Sequence, residues 1–348
     1  MTLRLNGPSA GRVLRLLGSG RDVPAYAIGG DRKVPGSQRC SASPVRRAQT
    51  ARAGYPPART HMVTTDDGVT LTVREVGGPE ATVTAVFCHG LCLDMSSWRC
   101  QRAGLRRMWG DEIRLVFYDH RGHGESADGH PDEYTINRLG SDLATVLDAV
   151  AATGPIVLVG HSMGGMAILA YLGANADAIG TRVIGVGLIA TAADRVADAG
   201  LGRALNTPIV EVLKIASHGP EWLFEGGWHI VRRLASPLLG RGDKPSRVRP
   251  GTVVSFLSAI RHYDESRTLA LLSTIPTLVV CGTDDPLTPI THSARLAATL
   301  PDAELVAVAG AKHEVAAEHP DTVCSAIARL LTRALASQPT TSRLGAGA

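Results

Sequence analysis

Between residues 156 and 175 the chain makes a transition that few backbones accommodate. Ile156-Val157-Leu158-Val159 is a continuous apolar run of strand length, and 165–175 reads as a helix. Only Gly160-His161-Ser162-Met163-Gly164 lies between them. A chain that passes from strand to helix in so few residues turns sharply, and the residue at the apex takes backbone angles that side chains rarely adopt. Glycines are needed on both sides because a Cβ there would strike the neighbouring strand or helix. The Ser162 hydroxyl is then held above a sheet, at a helix N-terminus whose amides favour developing negative charge.

The rest of the chain supplies that sheet. Val69-Thr70-Leu71-Thr72-Val73 alternates with the period of a half-buried strand. Val83–Cys88 and Ile113–Tyr118 are short β-branched runs, each ending in a polar or Gly-rich turn. Val183–Ile189, Thr277–Val280 and Leu305–Val308 are continuously apolar, as parallel strands covered on both faces are. Between them Leu139, Leu143, Val146, Leu147 and Val150 form a stripe at helical spacing. Strands alternating with helices predict an α/β fold with a doubly wound, mostly parallel sheet. The alternation lapses over 195–270, which reads as a mainly helical insertion.

Charge is unevenly spread. The chain of 348 residues carries a formal +4, but its first 60 residues hold ten Arg, Lys33 and only Asp22 and Asp31, a net +9. The remainder is therefore near −5, which gives no reason to expect nucleic acid as a partner. Residues 1–61 read as a disordered Arg-rich extension, 62–194 with 271–336 as the core, and 337–348 as a flexible tail. A strand-like segment begins just after Met62, which fits a domain starting there. Arg outnumbers Lys 32 to 4, the bias of a GC-rich, bacterial genome. No apolar run reaches the 18 residues of a spanning helix. The six cysteines Cys40, Cys88, Cys92, Cys100, Cys281 and Cys324 make no CxxC pair, so reduced structural thiols and a cytoplasmic location are expected.

A serine hydroxyl is a poor nucleophile without a base, so an acid and a histidine should follow Ser162 in that order. Asp284-Asp285 closes the strand at 277–280, and His313 closes the strand at 305–308. Both lie just past strand C-terminal ends, where open α/β sheets bind ligands. Asp285 is the preferred acid, with Asp284 and Asp194 as the alternatives. His313-Glu314 with Glu318-His319 does not have the spacing of a zinc HExxH motif, and neither metal nor cofactor is expected. For a developing oxyanion, backbone amides at Met163 and at Leu91, which follows Cys88-His89-Gly90, are the candidates. His89 reads as a brace for that loop.

His89-Gly90, Asp119-His120-Arg121-Gly122-His123-Gly124-Glu125-Ser126, the GHSMGG run at 160–165, Gly282 with Asp285, Leu287 and Pro289, and His313 together resemble the α/β-hydrolase superfamily, in its serine-nucleophile esterase and lipase branch. The resemblance spans about 62–335. It implies that 195–270 is a helical cap over the pocket, whose Trp222, Phe224 and Trp228 either line an acyl site or pack the cap onto the body. It also implies that 119–126 is a structural loop near the site, with no catalytic role for His120 or His123. A serine at 162 sets the chain apart from members that use an aspartate nucleophile. The expected activity is hydrolysis of carboxylic esters of small molecules or lipids through an acyl-enzyme. Thioester cleavage and cofactor-free perhydrolysis by the same residues are the alternatives, and a non-catalytic binding module is the remaining one.

Overall fold

The computed structural model describes residues 58–78, 80–207, 212 and 248–338, and the backbone of 3–6, 13–16 and 22–28. Eight strands form the central sheet: β4 (Arg59–Thr64), β5 (Thr70–Val76), β6 (Val83–Cys88), β7 (Ile113–Tyr118), β8 (Ile156–His161), β9 (Val183–Ile189), β10 (Thr277–Gly282) and β11 (Ala303–Val308). Their spatial order is β11-β10-β9-β8-β6-β7-β5-β4. From β11 to β7 every pairing is parallel, and β5 and β4 close that edge antiparallel. The fold is thus the α/β architecture expected, with a mostly parallel sheet.

The continuous apolar runs are explained by what covers them. Along β6, Ala85 and Phe87 face one hydrophobic layer, while Val86 and Cys88 face the other. Helices α2 (Ile136–Val150), α3 (Met163–Ala174) and α5 (Ile290–Thr299) contribute to the first-named side's opposite layer, with Leu143, Val146 and Leu147 wholly buried. Helices α1 (Arg99–Trp109) and α6 (Pro320–Ala336) cover the Phe87 side. Three aromatics meet there: Phe87 stacks on Phe117 at 4.8 Å and meets Trp98 at 5.2 Å. Emptying any one such site by truncation to alanine costs about 2–5 kcal/mol. Helix α1 was hidden in the sequence because Arg99, Arg102, Arg106 and Arg107 interrupt its apolar stripe. It buries Gln101, Gly104, Leu105 and Arg106. A Cβ on Gly104 would stand 2.6 Å from the Cys324 Sγ of α6, so only glycine lets the two helices approach so closely.

The amino-terminal stretch differs from the expectation of disorder. Backbone strands β1 (Leu3–Asn6), β2 (Val13–Leu16) and β3 (Asp22–Ile28) continue the sheet, with β3 parallel to β11 and the other two antiparallel beyond it. The physical reason is the edge itself: β11 would otherwise present a row of unpaired backbone groups. At the other edge β4 starts at Arg59, so the expected boundary at Met62 falls within a strand.

Of the insertion, 3-10 turns at Val196–Asp198 and Gly200–Asn206 and helix α4 (Pro250–Arg261) are described. Trp222, Phe224 and Trp228 lie outside the described residues. The two ends of the insertion are joined by an antiparallel bridge between Asp194 and Asp264 and by a 2.7 Å hydrogen bond from Glu265 N–H to Ala193 O. No helix among the described residues is long and apolar enough to cross a membrane.

The expectation that all six thiols are reduced fails at Cys100, which is disulfide-bonded. Cys88, Cys92, Cys281 and Cys324 are free and buried, whereas Cys100 is half-buried at the start of α1. Cys40 lies outside the described residues.

Candidate active site

Parallel strands bring their C-terminal ends to one edge, and six segments leave the sheet there: 89–94, 119–127, 162, 190–195, 283–289 and 309–314. At their centre Ser162 sits between β8 and α3 with φ 52° and ψ −121°. A non-glycine residue in that region costs of order 1–3 kcal/mol, and such strain persists only where the surroundings enforce it. Here they do. Ser162 N–H donates to Ile189 O at 2.9 Å, and Thr191 Oγ1 donates to Ser162 O at 2.8 Å. The flanking glycines are dictated by crowding. A Cβ on Gly160 would lie 2.5 Å from Gly165 N, and one on Gly164 would collide with the carbonyl oxygen of Cys88.

The structure brings the three expected side chains together. His313 Nδ1–H donates to Asp285 Oδ2 at 2.8 Å, and Ser162 Oγ lies 3.0 Å from His313 Nε2. With Nδ1 carrying the proton, Nε2 presents a lone pair to the hydroxyl. Asp285 is held by its own turn: Oδ1 accepts from Leu287 N–H at 2.8 Å and Thr288 N–H at 3.0 Å, and Oδ2 also accepts from Thr288 Oγ1 at 2.8 Å. Burial would raise the pKa of this carboxyl, but the His313 contact, followed by the Thr288 bonds, outweighs it and holds it below the usual carboxylate range. Asp285 therefore stays ionised. Asp284 is exposed and accepts from Thr283 Oγ1 at 3.0 Å, while Asp194 pairs with Arg295 Nη2 at 2.8 Å. The carboxylate against His313 is that of Asp285.

Leu91 and Met163 are both buried in the apolar layer above the site, with Met166, Val253, Phe256 and Leu257. Met163 is the first residue of α3, so its N–H has no acceptor within the helix. Gly90 brings the other loop against the serine turn: a Cβ there would lie 2.8 Å from His161 Nδ1 and 3.2 Å from Ser162 Cβ.

The sequence reading missed three supporting groups. Thr288 lies three residues past Asp285, a spacing at which a side-chain oxygen and an acidic residue bridge a turn. Thr191 follows β9 with no comparable signal. His161 Nε2–H donates to His313 O at 2.9 Å, tying the serine turn to the histidine loop across 152 residues. Burial first, then the neighbouring His313, hold His161 down to about 3, so it is neutral. Among the described residues no group of histidine, cysteine and acidic side chains could hold a metal ion.

Comparison with known proteins gives the family. The sequence model of a family described as Alpha/beta hydrolase family matches residues 85–326. The chain is 30% identical over 277 residues to a protein named putative carbamate hydrolase RutD from Caulobacter segnis, covering 77% of this chain and 97% of that protein. It is 30% identical over 233 residues to 3-oxoadipate enol-lactonase 1 of Acinetobacter baylyi, covering 66% of this chain and 81% of that one. Among solved structures, a thermophilic esterase from Thermogutta terrifontis superposes with a TM-score of 0.57 at 26% identity, covering 80% of this chain and 99% of its own.

Proposed function

Because the chain belongs to the alpha/beta hydrolase family and is a hydrolase, we propose that it cleaves carboxylic esters of small molecules through Ser162, His313 and Asp285. The observation that carries this reading is the placement of His313 between an ionised carboxylate and the hydroxyl of a serine with a strained backbone, at 2.8 and 3.0 Å. His313 Nε2 removes the Ser162 proton as Oγ attacks the ester carbonyl. The imidazolium that forms is stabilised by Asp285. The carbonyl oxygen becomes an oxyanion held by the Leu91 and Met163 amides, at the positive end of α3. As the tetrahedral intermediate collapses, His313 returns the proton to the departing alkoxide, leaving an acyl group on Oγ. Water then repeats the sequence with His313 as base and releases the acid.

Lactones and carbamates present the same carbonyl with an oxygen or nitrogen leaving group, so the relatives' names are consistent with this chemistry. The buried apolar layer beside Leu91 and Met163, which includes Phe256 and Tyr134, suits an apolar acyl group. The test is hydrolysis of a p-nitrophenyl ester together with labelling by a fluorophosphonate. Ser162→Ala should abolish labelling and lower kcat by about 10⁴-fold or more. A Ser162→Ala variant that turns over at the native rate would overturn the proposal.

A further inference from the structure

The segment 119–126 is crowded with titratable side chains that the proposed reaction does not use. Three imidazoles, His89, His120 and His123, pack there with ring centroids 4.5–6.4 Å apart, and all three are buried. Each bonds to backbone. His89 Nε2 accepts from His120 N–H at 3.0 Å, so its proton is on Nδ1, which donates to Gly90 O at 2.8 Å. His120 Nε2–H donates to His89 O at 3.1 Å. His123 Nε2 accepts from Cys92 N–H at 3.2 Å, and its Nδ1–H donates to Arg121 O at 3.0 Å. The approach of His89 Nε2 to Asp119 Oδ1, at 3.9 Å, is therefore no ion pair, since that nitrogen carries no proton.

These bonds fall on the two peptide groups that flank Leu91. Gly90 C=O and Leu91 N–H belong to one planar trans unit, in which the carbonyl and the N–H point in opposite directions. Fixing Gly90 O on the His89 side turns Leu91 N–H away from it. The next unit is fixed at its N–H by His123. The loop between needs such fixing, because Cys92 adopts φ 63°, which a side-chain-bearing residue does not hold unaided.

His123 is itself anchored. Its Nδ1–H meets the carbonyl of Arg121, whose guanidinium is fully buried and forks onto Asp142 at 2.7 and 2.6 Å and onto Asp67 at 2.7 and 3.1 Å. Two bidentate carboxylates leave that side chain no freedom to swing. On its other face the His123 ring packs on Phe256 of α4, 5.8 Å between centroids.

Resting on the reading of Leu91 as an oxyanion donor, we propose that His123 is a positioning residue for the reaction. Through Cys92 N–H, and with His89 holding Gly90 O, it sets the direction of the Leu91 amide. Without an acceptor at position 123 the buried Cys92 N–H is left unpaired. The loop then relaxes to satisfy it, and the Leu91 donor loses its aim. Loss of one oxyanion donor lowers kcat by about 10²–10³-fold, and misdirection costs part of that.

The experiment compares native protein with His123→Phe, which keeps the ring against Phe256 but offers no acceptor, and His123→Gln, whose Oε1 reaches the place of Nε2. Endpoint titration with a fluorophosphonate counts folded sites, so kcat is expressed per labelled serine whatever the folding yield. His123→Phe should lose about 10–100-fold in kcat with KM within about threefold. Its affinity for an alkyl trifluoromethyl ketone, which adds to the serine as a tetrahedral oxyanion, should fall by the same factor. His123→Gln should recover most of both. A kcat for His123→Phe within threefold of native, or an unchanged affinity for the ketone, would overturn the positioning role alone. A native protein that takes up no label overturns the reading of Ser162 and this inference with it.

Discussion

His313 and His123 are buried imidazoles on two loops, after β11 and β7, at the same edge of the sheet, and both carry a proton on Nδ1. Their partners separate them. His313 donates to an ionised carboxylate and offers Nε2 to a hydroxyl. His123 donates to a backbone carbonyl and spends Nε2 on a backbone amide. A charge arising on His313 is met by Asp285 in direct hydrogen bond, whereas Asp128 and Asp94 act on His123 only from a distance and are outweighed by burial, and a charge there would convert its acceptor into a donor. Burial above all holds His123 down to about 3 and His89 to about 4. The difference teaches that an imidazole's opposite partner, rather than its burial or its loop, decides whether it moves protons or holds backbone.

The most severe way to break that contrast is to take the carboxylate from His313. In Asp285→Asn the oxygen that accepts from Leu287 and Thr288 can remain, but an amide nitrogen or a neutral oxygen faces Nδ1. The imidazole then turns over its tautomer or loses its counter-charge, and kcat should fall by about 10⁴-fold with little change in KM. A loss below tenfold on a p-nitrophenyl ester would mean that His313 does not depend on its acid, and the distinction from His123 would collapse.

Much of this arrangement was legible in the sequence, and for a definite reason. Ser162, Asp285 and His313 each lie within five residues of the end of a short apolar run, so period and turn chemistry place them near strand ends without any knowledge of the sheet. The parallel strands read clearly because burial on both faces makes them continuously apolar. What escaped was whatever depends on a distant partner. Helix α1 presents Gln101, Gly104 and Arg106 to the core, residues that no hydrophobic stripe reveals. Strands β1–β3 exist because β11 has a free edge, which only the sheet order shows. The hydrogen bond of His161 to a carbonyl 152 residues away has no local signature at all, and neither does the division of labour among His89, His120 and His123.

That bond gives the next test of the contrast. His161 belongs to the backbone-holding class, yet it holds the backbone of His313, the residue proposed to move protons. His161→Phe preserves the ring volume but leaves His313 O without its donor in a buried place. The histidine loop should then hold its imidazole less well against Ser162, with kcat falling on the order of 30-fold per titrated site, about 2 kcal/mol of transition-state stabilisation. Native kcat in this variant would show that Asp285 alone aligns His313.

The smallest effect concerns stability, and its sign follows from the same contrast. His89, His123 and His161 are held down to about 4, 3 and 3, chiefly by burial, and His120 lies well below its ordinary value for the same reason. In the unfolded chain each titrates near 6.5. Between about pH 6.5 and 3 the unfolded state therefore takes up protons that the folded state refuses, and stability falls as pH falls, by up to about 1.4 kcal/mol per pH unit for each such group. Asp119 acts in the opposite sense, since burial raises it to about 6 and the folded state takes its proton first, and burial raises Asp142 and Glu314 likewise; the four imidazoles, joined by His292, which burial also lowers, outnumber them. The melting temperature should accordingly decline from pH 7 to pH 5, beginning near 6.5. His161→Phe removes one of the four and should melt along a shallower slope by that one group's share. A melting temperature that stays level over this range would show that the backbone-holding imidazoles accept protons in the folded state, and the line between them and His313 would have to be drawn elsewhere.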